Sequence, residues 1–341
     1  MRILFSYENA LPSPQADAEQ LVNTAAAFAR RGHEVVLTSP ALAGTEPAAL
    51  FDYFGIDAPL TWRPTRPLPG GFYARHVGHV AAGLAFPRDT YDLVYTRHLI
   101  LAALLLARGH RVTFDHYRLW GDQLPPAQLL ARRVLRDPHC LGATLHSGLA
   151  LEGYRRLGIP AEKLAVLHNG WEPARLLPRL GVSEARARLG LPAGTPLVVY
   201  AGRINERKGL DVVLAMADAL ARRGARFLLI GGTGEGAMEE RAASRENVDV
   251  LPWMSFTELT PYLYAADVLM IPPSRAPLEI GSTVLPLKLF LYLGAGRAIF
   301  APRSPDTAEL LDDRNACLVA PADADDVTEV SRALMHLLDD D

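Results

Sequence analysis

The first forty residues constrain the fold more tightly than any other stretch. Met1 to Tyr7 contains RILFSY, a short apolar strand, and a proline-bearing loop follows at Leu11-Pro12-Ser13-Pro14. Asp17 to Arg31 then places Leu21, Val22, Ala25, Phe28 and Ala29 at helical spacing. Gly32 closes that helix, and Glu34 to Thr38 (EVVLT) reads as the next strand. Strand, helix, strand in this order is a βαβ unit, which requires a parallel sheet with helices packed on its faces.

The rhythm continues through Tyr91 to Tyr95, an apolar helix around Leu99 to Arg108, the strand Arg111 to Phe114, an arginine-rich helix near Ala127 to Arg136, and Leu164 to Leu167. Pro40 to Thr90 reads as irregular structure. Glu172-Pro173 and Pro178 read as a hinge, after which the pattern begins again. It runs through Leu197 to Tyr200, a helix from Gly209 to Arg223, then strands at Arg226 to Ile230 and Val248 to Leu251. A short helix at Thr257 to Ala265, a strand at Val268 to Ile271, a helix at Pro286 to Leu293 and a strand at Ala298 to Ala301 complete it. A length of 341 residues suits two domains at roughly 150 residues each. The expected architecture is α/β, with parallel-sheet domains at 1–172 and 173–341 facing across a cleft.

Composition narrows the function classes. The formal net charge of −3 neither demands nucleic acid nor forbids a membrane surface. The split is +2 over residues 1–172 and −5 over 173–341. The longest apolar run, the nine residues Leu99 to Ala107, falls short of the ~20 that a membrane span needs. The N-terminus has no long apolar leader, so the chain reads as cytoplasmic, with peripheral contact at the inner membrane face left open. Cys140 and Cys317 are too few and too separated for a disulfide framework or structural zinc. Oligomeric state is not legible.

The strongest chemical signal is Ala201-Gly202-Arg203-Ile204-Asn205-Glu206-Arg207-Lys208-Gly209, between a strand and a helix. Parallel sheets bind ligands beyond the carboxyl ends of their strands. A phosphate there would meet a glycine that lets the backbone approach, a bidentate Arg203 and the point charge of Lys208. A solvated basic turn is the competing reading. Further on, Pro286 is expected at the first position of a helix, leaving the amides of Leu287 and Lys288 outward as an anion seat beside the Lys288 charge. Arginine outnumbers lysine 32 to 3, and two of the three lysines fall at these two segments.

Other features carry less. Gly231-Gly232-Thr233-Gly234-Glu235-Gly236 lacks the spacing of a dinucleotide loop and reads as a flexible turn. Asp323-Ala324-Asp325 reads as a helix cap and not a metal pair. His116 follows a strand end beside Asp115, where a substrate-facing residue would project, although a lone histidine is more often structural. No nucleophile elbow or HExxH motif occurs, so chemistry must come from positioning and charge.

The order of AGRINERKGLD, RFLLIGGTGEG, NVDVLPWMS, ELTPYLYAADVLMIPPS and PLKLFLYLGAGRAIFAP resembles the nucleotide-sugar domain of the family 4 glycosyltransferases. GHEV, DLVYTRH, TFDH and LHNG extend a looser likeness over the first half. The resemblance implies two Rossmann-like domains of GT-B fold and retaining sugar transfer from a nucleoside diphosphate donor to a hydroxyl acceptor. No metal or cofactor is implied, and no nucleic-acid partner. The acceptor class stays open among polysaccharide, glycolipid or small glycoside, lipid-linked acceptors included. Arg203 and Lys208 match the family's diphosphate-gripping positions, with Gly202, Leu287 and Lys288 beside them. His116 matches the histidine that faces the donor sugar. Trp253 falls near the loop bordering the base, and Pro14 and Gln15 lie in the acceptor-side loop.

One departure stands out. The family's paired glutamates fall at Thr283 and Leu291, with Glu279 nearby but out of register. Leucine cannot bond a ribose diol, so a catalytically weakened or non-catalytic nucleotide-sugar-binding homologue is the alternative. An epimerase or phosphorylase of similar architecture is a weaker one.

Overall fold

The computed structural model describes residues 1–42, 44–66, 70–116, 125–275 and 285–340. The chain forms two compact units, Met1–Asn169 and Gly170–Asp341.

Unit 1 is a seven-stranded parallel sheet with strand order β3-β2-β1-β4-β5-β6-β7. Its strands are β1 (Arg2–Ser6), β2 (Glu34–Pro40), β3 (Leu60–Thr65), β4 (Leu93–Thr96), β5 (Val112–His116), β6 (Cys140–Leu145) and β7 (Leu164–Val166). The helices are α1 (Ala16–Arg30), α2 (Pro47–Phe54), α3 (Phe72–Leu84), α4 (Leu99–Ala107), α5 (Pro125–Arg136) and α6 (Gly148–Arg156). The chain builds outward from β1 to β3 and then returns to the other side of β1 at β4. The sheet therefore changes direction between β1 and β4, the position at which open α/β sheets take ligands. Two apolar layers pack on opposite faces: one includes Phe5, Leu21, Val22 and Leu37, the other Val94, Leu101, Phe114 and Tyr154.

The stretch Pro40 to Thr90 is ordered rather than irregular, holding α2, β3 and α3. Its prolines explain the misreading. Pro47 opens α2 at a position where the missing N–H costs nothing. Pro64 sits on β3, an edge strand, where one unpaired ladder position is tolerated.

Unit 2 repeats the design with six parallel strands in the order β10-β9-β8-β11-β12-β13. They are β8 (Leu197–Ala201), β9 (Arg226–Gly232), β10 (Val248–Pro252), β11 (Val268–Met270), β12 (Ala298–Pro302) and β13 (Cys317–Val319). The helices are α7 (Val182–Leu189), α8 (Leu210–Leu220), α9 (Ala237–Ala243), α10 (Phe256–Ala265), α11 (Leu287–Ala295) and α12 (Thr328–Asp339). Here the change of direction lies between β8 and β11. Ser255 and Glu258 cap α10 reciprocally, which explains why that helix starts so sharply after β10.

Three expectations are corrected. The presumed hinge contains a 3₁₀ turn, Pro173–Leu176, that packs into unit 2. Leu176 is buried in its core and its carbonyl accepts from the Tyr264 hydroxyl at 2.7 Å. Asp323 does not cap α12; it pairs with Arg275 at 2.8 Å. Pro286 precedes α11 in an extended conformation (φ −61°, ψ 128°) and is its N-cap, so Leu287 is the first helical residue.

Candidate functional site

The site in unit 2 is assembled where β8 and β11 diverge. Tyr292, buried on α11, reaches across the gap: its hydroxyl accepts from the Ala201 amide at 2.9 Å and faces the Met270 carbonyl at 3.5 Å. The middle of α11 is thereby tied to the carboxyl ends of both strands. Lys288, one turn earlier on α11, lays its Nζ over the Tyr200 ring, 3.5 Å from the centroid. The Tyr200 hydroxyl donates to the Arg203 carbonyl at 2.8 Å, fixing the loop that carries Arg203.

Gly202 completes this arrangement for a steric reason. A Cβ there would lie 2.7 Å from Lys288 Nζ and 3.3 Å from the Tyr200 hydroxyl, and the backbone has φ +142°. Only glycine combines that dihedral with that clearance. Burial, with the nearby Lys208 charge, holds the Lys288 ammonium well below the usual lysine range. A desolvated Lys288 beside the exposed Lys208 charge favours an anion, which would relieve both the repulsion and the Lys288 desolvation. The first amides of α11, at Leu287 and Lys288, have no acceptor one turn back within the helix. They add the positive end of the helix dipole to the same corner.

The neighbouring loop is held in place and is not a flexible turn. Glu239 accepts from the Thr233 amide at 2.8 Å, the Thr233 hydroxyl at 3.0 Å and the Gly234 amide at 2.9 Å. These bonds set its carboxyl below the ordinary range despite burial. Trp253, just past β10, is 55% exposed, with its amide bonded to the Gly232 carbonyl at 2.9 Å. Leu291 points into the apolar core of unit 2 and offers no polar group to a ligand. Glu279 and Thr283 lie outside the described residues.

In unit 1, His116 ends β5 within the strand and is buried. Its Nδ1 lies 2.8 Å from the Tyr154 hydroxyl and its ring stacks on Phe114. Beside it, buried Asp115 receives Arg97 Nε at 2.6 Å, the Thr144 hydroxyl at 2.7 Å and His146 Nε2 at 3.0 Å. Burial alone would raise the Asp115 carboxyl, but Arg97 and His146 hold it well below the carboxylate range. Pro14 and Gln15 are exposed where α1 begins, after β1. Glu8, two residues past β1, has its carboxyl raised by burial, and among the described residues its Oε2 meets no hydrogen-bond partner.

The structure brings Gly202, Leu287 and Lys288 together in unit 2, with Lys208 close enough to act on Lys288. Arg203 is carried on the same loop. Sequence reasoning missed Tyr200, Tyr292, Glu239, Glu8 and the Asp115 network. A strand tyrosine is ordinarily read as core, and only the periodicity of α11 hinted that Tyr292 faces β8. Among the described residues no group of three or more His, Cys, Asp or Glu side chains is placed to hold a metal. No described helix is long and apolar enough to cross a membrane.

Comparison with known proteins bears on the family. Residues 18–175 match the model described as Glycosyltransferase Family 4, and residues 195–340 match Glycosyl transferases group 1. Both matches support a glycosyltransferase of family 4. A D-inositol 3-phosphate glycosyltransferase of Streptomyces bingchenggensis is 30% identical over 234 residues, covering 60% of this chain and 51% of its own. An Escherichia coli K12 protein, named provisionally as the colanic acid biosynthesis glycosyl transferase WcaI, is 30% identical over 144 residues, 41% of this chain and 35% of its own. The chain thus spans about a third to a half of the length of these two relatives. In structure, the sucrose-phosphate synthase of Thermosynechococcus elongatus superposes with TM-score 0.75 at 17% identity, covering 99% of this chain and 90% of that one. Anabaena HepE in complex with UDP-glucose does so at 0.69 and 16%, covering 98% and 90%. These likenesses establish the GT-B fold class.

Proposed function

We propose that the chain is a retaining glycosyltransferase that moves a sugar from a nucleoside diphosphate donor to a hydroxyl acceptor. The observation that carries this reading is the anion corner of unit 2, where Lys288, Lys208, the glycine cradle at Gly202 and the N-terminal end of α11 converge. Arg203 and Lys208 would grip the diphosphate, the Leu287 and Lys288 amides would seat its terminal phosphate, and exposed Trp253 would border the base. HepE, a protein of the same fold, takes UDP-glucose, which supports a nucleotide-sugar donor.

In the step proposed, the bond from the anomeric carbon to the diphosphate oxygen breaks while the bond to the acceptor oxygen forms on the same face. The acceptor proton passes to the departing phosphate oxygen, so no enzymic nucleophile and no metal is required. The corner stabilises the charge that develops on that leaving group. His116 would face the donor sugar, its ring orientation fixed by Tyr154 and Phe114. Glu8, Pro14 and Gln15 would serve the acceptor, a hydroxyl of which would satisfy Glu8 Oε2.

Titration of UDP and other nucleoside diphosphates into wild type and the Arg203→Ala/Lys208→Ala variant tests the premise. At least a tenfold weakening is expected, since each lost charge-assisted bond is worth about 1.5–3 kcal/mol. Equal saturable binding by both proteins removes the premise. Product analysis by NMR after incubation with a nucleotide-sugar panel reads the anomeric configuration; inversion would refute the retaining course.

A further inference from the structure

Helices α3, α4 and α5 of unit 1 are neighbours on one face of the sheet, with α4 packed against both of the others. Because every strand is parallel, the three helices run in the same direction, their N-terminal ends at the carboxyl edge of the strands. Each shows an outward stripe. On α3 it holds Tyr73 (83% exposed) and Val77 (62%); on α4, Ile100 (55%) and Leu104 (39%); on α5, Leu129 (67%). The apolar side chains lie in the N-terminal halves, except Leu104 just past the middle of α4. On α4 and α5 the same stripes end in arginine: Arg108 just beyond α4, and Arg133 and Arg136 in the last turn of α5.

None of the three helices contains an Asp or Glu. Among the described residues Arg108, Arg132 and Arg136 are tethered to carbonyls and pair with no carboxylate. Arg108 donates to the Leu84 carbonyl, Arg132 to the Leu157 carbonyl and Arg136 to the Gly158 carbonyl, at 2.7 to 2.8 Å. The carboxylate closest in sequence, Asp137, follows α5 and accepts from the His139 amide at 2.8 Å. Together with Arg133 it borders a small groove of about 70 Å³ between α4 and α5.

We propose that this face docks unit 1 on an anionic lipid bilayer. Aliphatic tips with one tyrosine, backed by a row of arginines that have no acidic partner among the described residues, suit the headgroup boundary: the tips enter the acyl region and the guanidinium groups lie among the phosphates. A second copy of the chain on the same face would set like charges against each other. A nucleic-acid backbone would meet the arginines but give the protruding isoleucine, leucines and valine nothing to pack against. The contact is peripheral, since it uses side chains on the outside of packed helices.

The test is flotation of the full chain with phosphatidylglycerol–phosphatidylcholine vesicles and with phosphatidylcholine alone, at low and high salt and without nucleotide. Wild type is expected to partition at least about tenfold more strongly to the anionic vesicles at low salt, and less at high salt. Ile100→Ser/Leu104→Ser/Leu129→Ser should lose about tenfold, with an unchanged melting temperature showing that the fold persists. Arg133→Gln/Arg136→Gln should flatten the salt dependence. Flotation indifferent to lipid charge, or equal for the apolar variant, overturns the proposal. So does sedimentation showing a dimer that the apolar variant abolishes while vesicles bind neither protein. Nucleoside diphosphate titration of the same variants reads the donor assignment separately, because none of these residues belongs to unit 2.

Discussion

Replacing Gly202 with alanine tests the anion corner without removing any of its charges. The new Cβ falls 2.7 Å from Lys288 Nζ and 3.2 Å from its Cε. The backbone cannot relax freely, because the Gly202 amide is bonded to the Ile230 carbonyl at 2.8 Å. Holding a non-glycine residue at φ +142° costs about 1–3 kcal/mol. The ammonium at the end of a flexible side chain can swing aside, but it then leaves the Tyr200 ring and forfeits up to about 2 kcal/mol of cation–π attraction. Together these give a loss of about 2–4 kcal/mol in the unfolding of unit 2, measured by denaturant titration. The same substitution made in a Lys288→Ala background should cost only the backbone part, so the two sites couple by as much as about 2 kcal/mol in a double-mutant cycle. UDP affinity should fall about tenfold in the single variant, since the displaced ammonium no longer faces the corner. Gly202→Ala within about 0.5 kcal/mol of wild type in both backgrounds would refute the steric reasoning, whatever the nucleotide does.

Four further outcomes follow, two from the same corner and two from unit 1. Because Lys288 is held below the usual lysine range, a bound anion should raise it again and draw in a proton; UDP calorimetry in buffers of differing ionisation enthalpy should show net uptake, and none in Lys288→Ala. Absent ligand, the unfolded chain holds the extra proton between the depressed and the ordinary lysine values, so unit 2 should gain stability as pH rises through that window. In unit 1, burial pushes His79 to about 3 and His98 to about 4. Stability should therefore fall as pH drops from about 6.5 toward 4, with His98 alone contributing about 3 kcal/mol. His98 Nδ1 accepts from the Leu101 amide at 3.2 Å, so His98→Asn keeps an acceptor for the start of α4 and should flatten the acid limb of the pH-stability curve. Asp115→Asn should cost about 3–5 kcal/mol in unit 1 by leaving the Arg97 guanidinium buried without its counter-charge, and a loss under 1 kcal/mol would show that the network is not electrostatically coupled.

What could be read along the chain was whatever repeats locally. The β1–α1–β2 unit and the β8–α8–β9 unit are legible because apolar runs, helical spacing and closing glycines agree over short distances. Strand β6 escaped notice since CLGATL is interrupted by Gly142 and has no alternation, while the three-residue β13 is too short to have a pattern. Helix α7, VSEARARL, has too thin an apolar stripe to separate from a loop. The cations of the unit 2 corner were legible because they cluster in two short segments. Their support was not: Tyr200 and Tyr292 lie 92 positions apart, and only the sheet brings the ends of β8 and β11 onto the Tyr292 hydroxyl. Glu239 likewise acts six residues back through backbone amides, which no residue pattern announces.

Gly294 on α11 has no side chain where one would strike Trp171 and Leu176 at 2.7 Å, so the stretch entering unit 2 is keyed into that helix. Recombination that exchanges first halves among relatives must then join upstream of Trp171, between Asn169 and Gly170, to keep lock and key in the same parent. A crossover only a few positions later, at Pro178, would import a foreign key, and the resulting chimeras should express poorly even when both parents are sound.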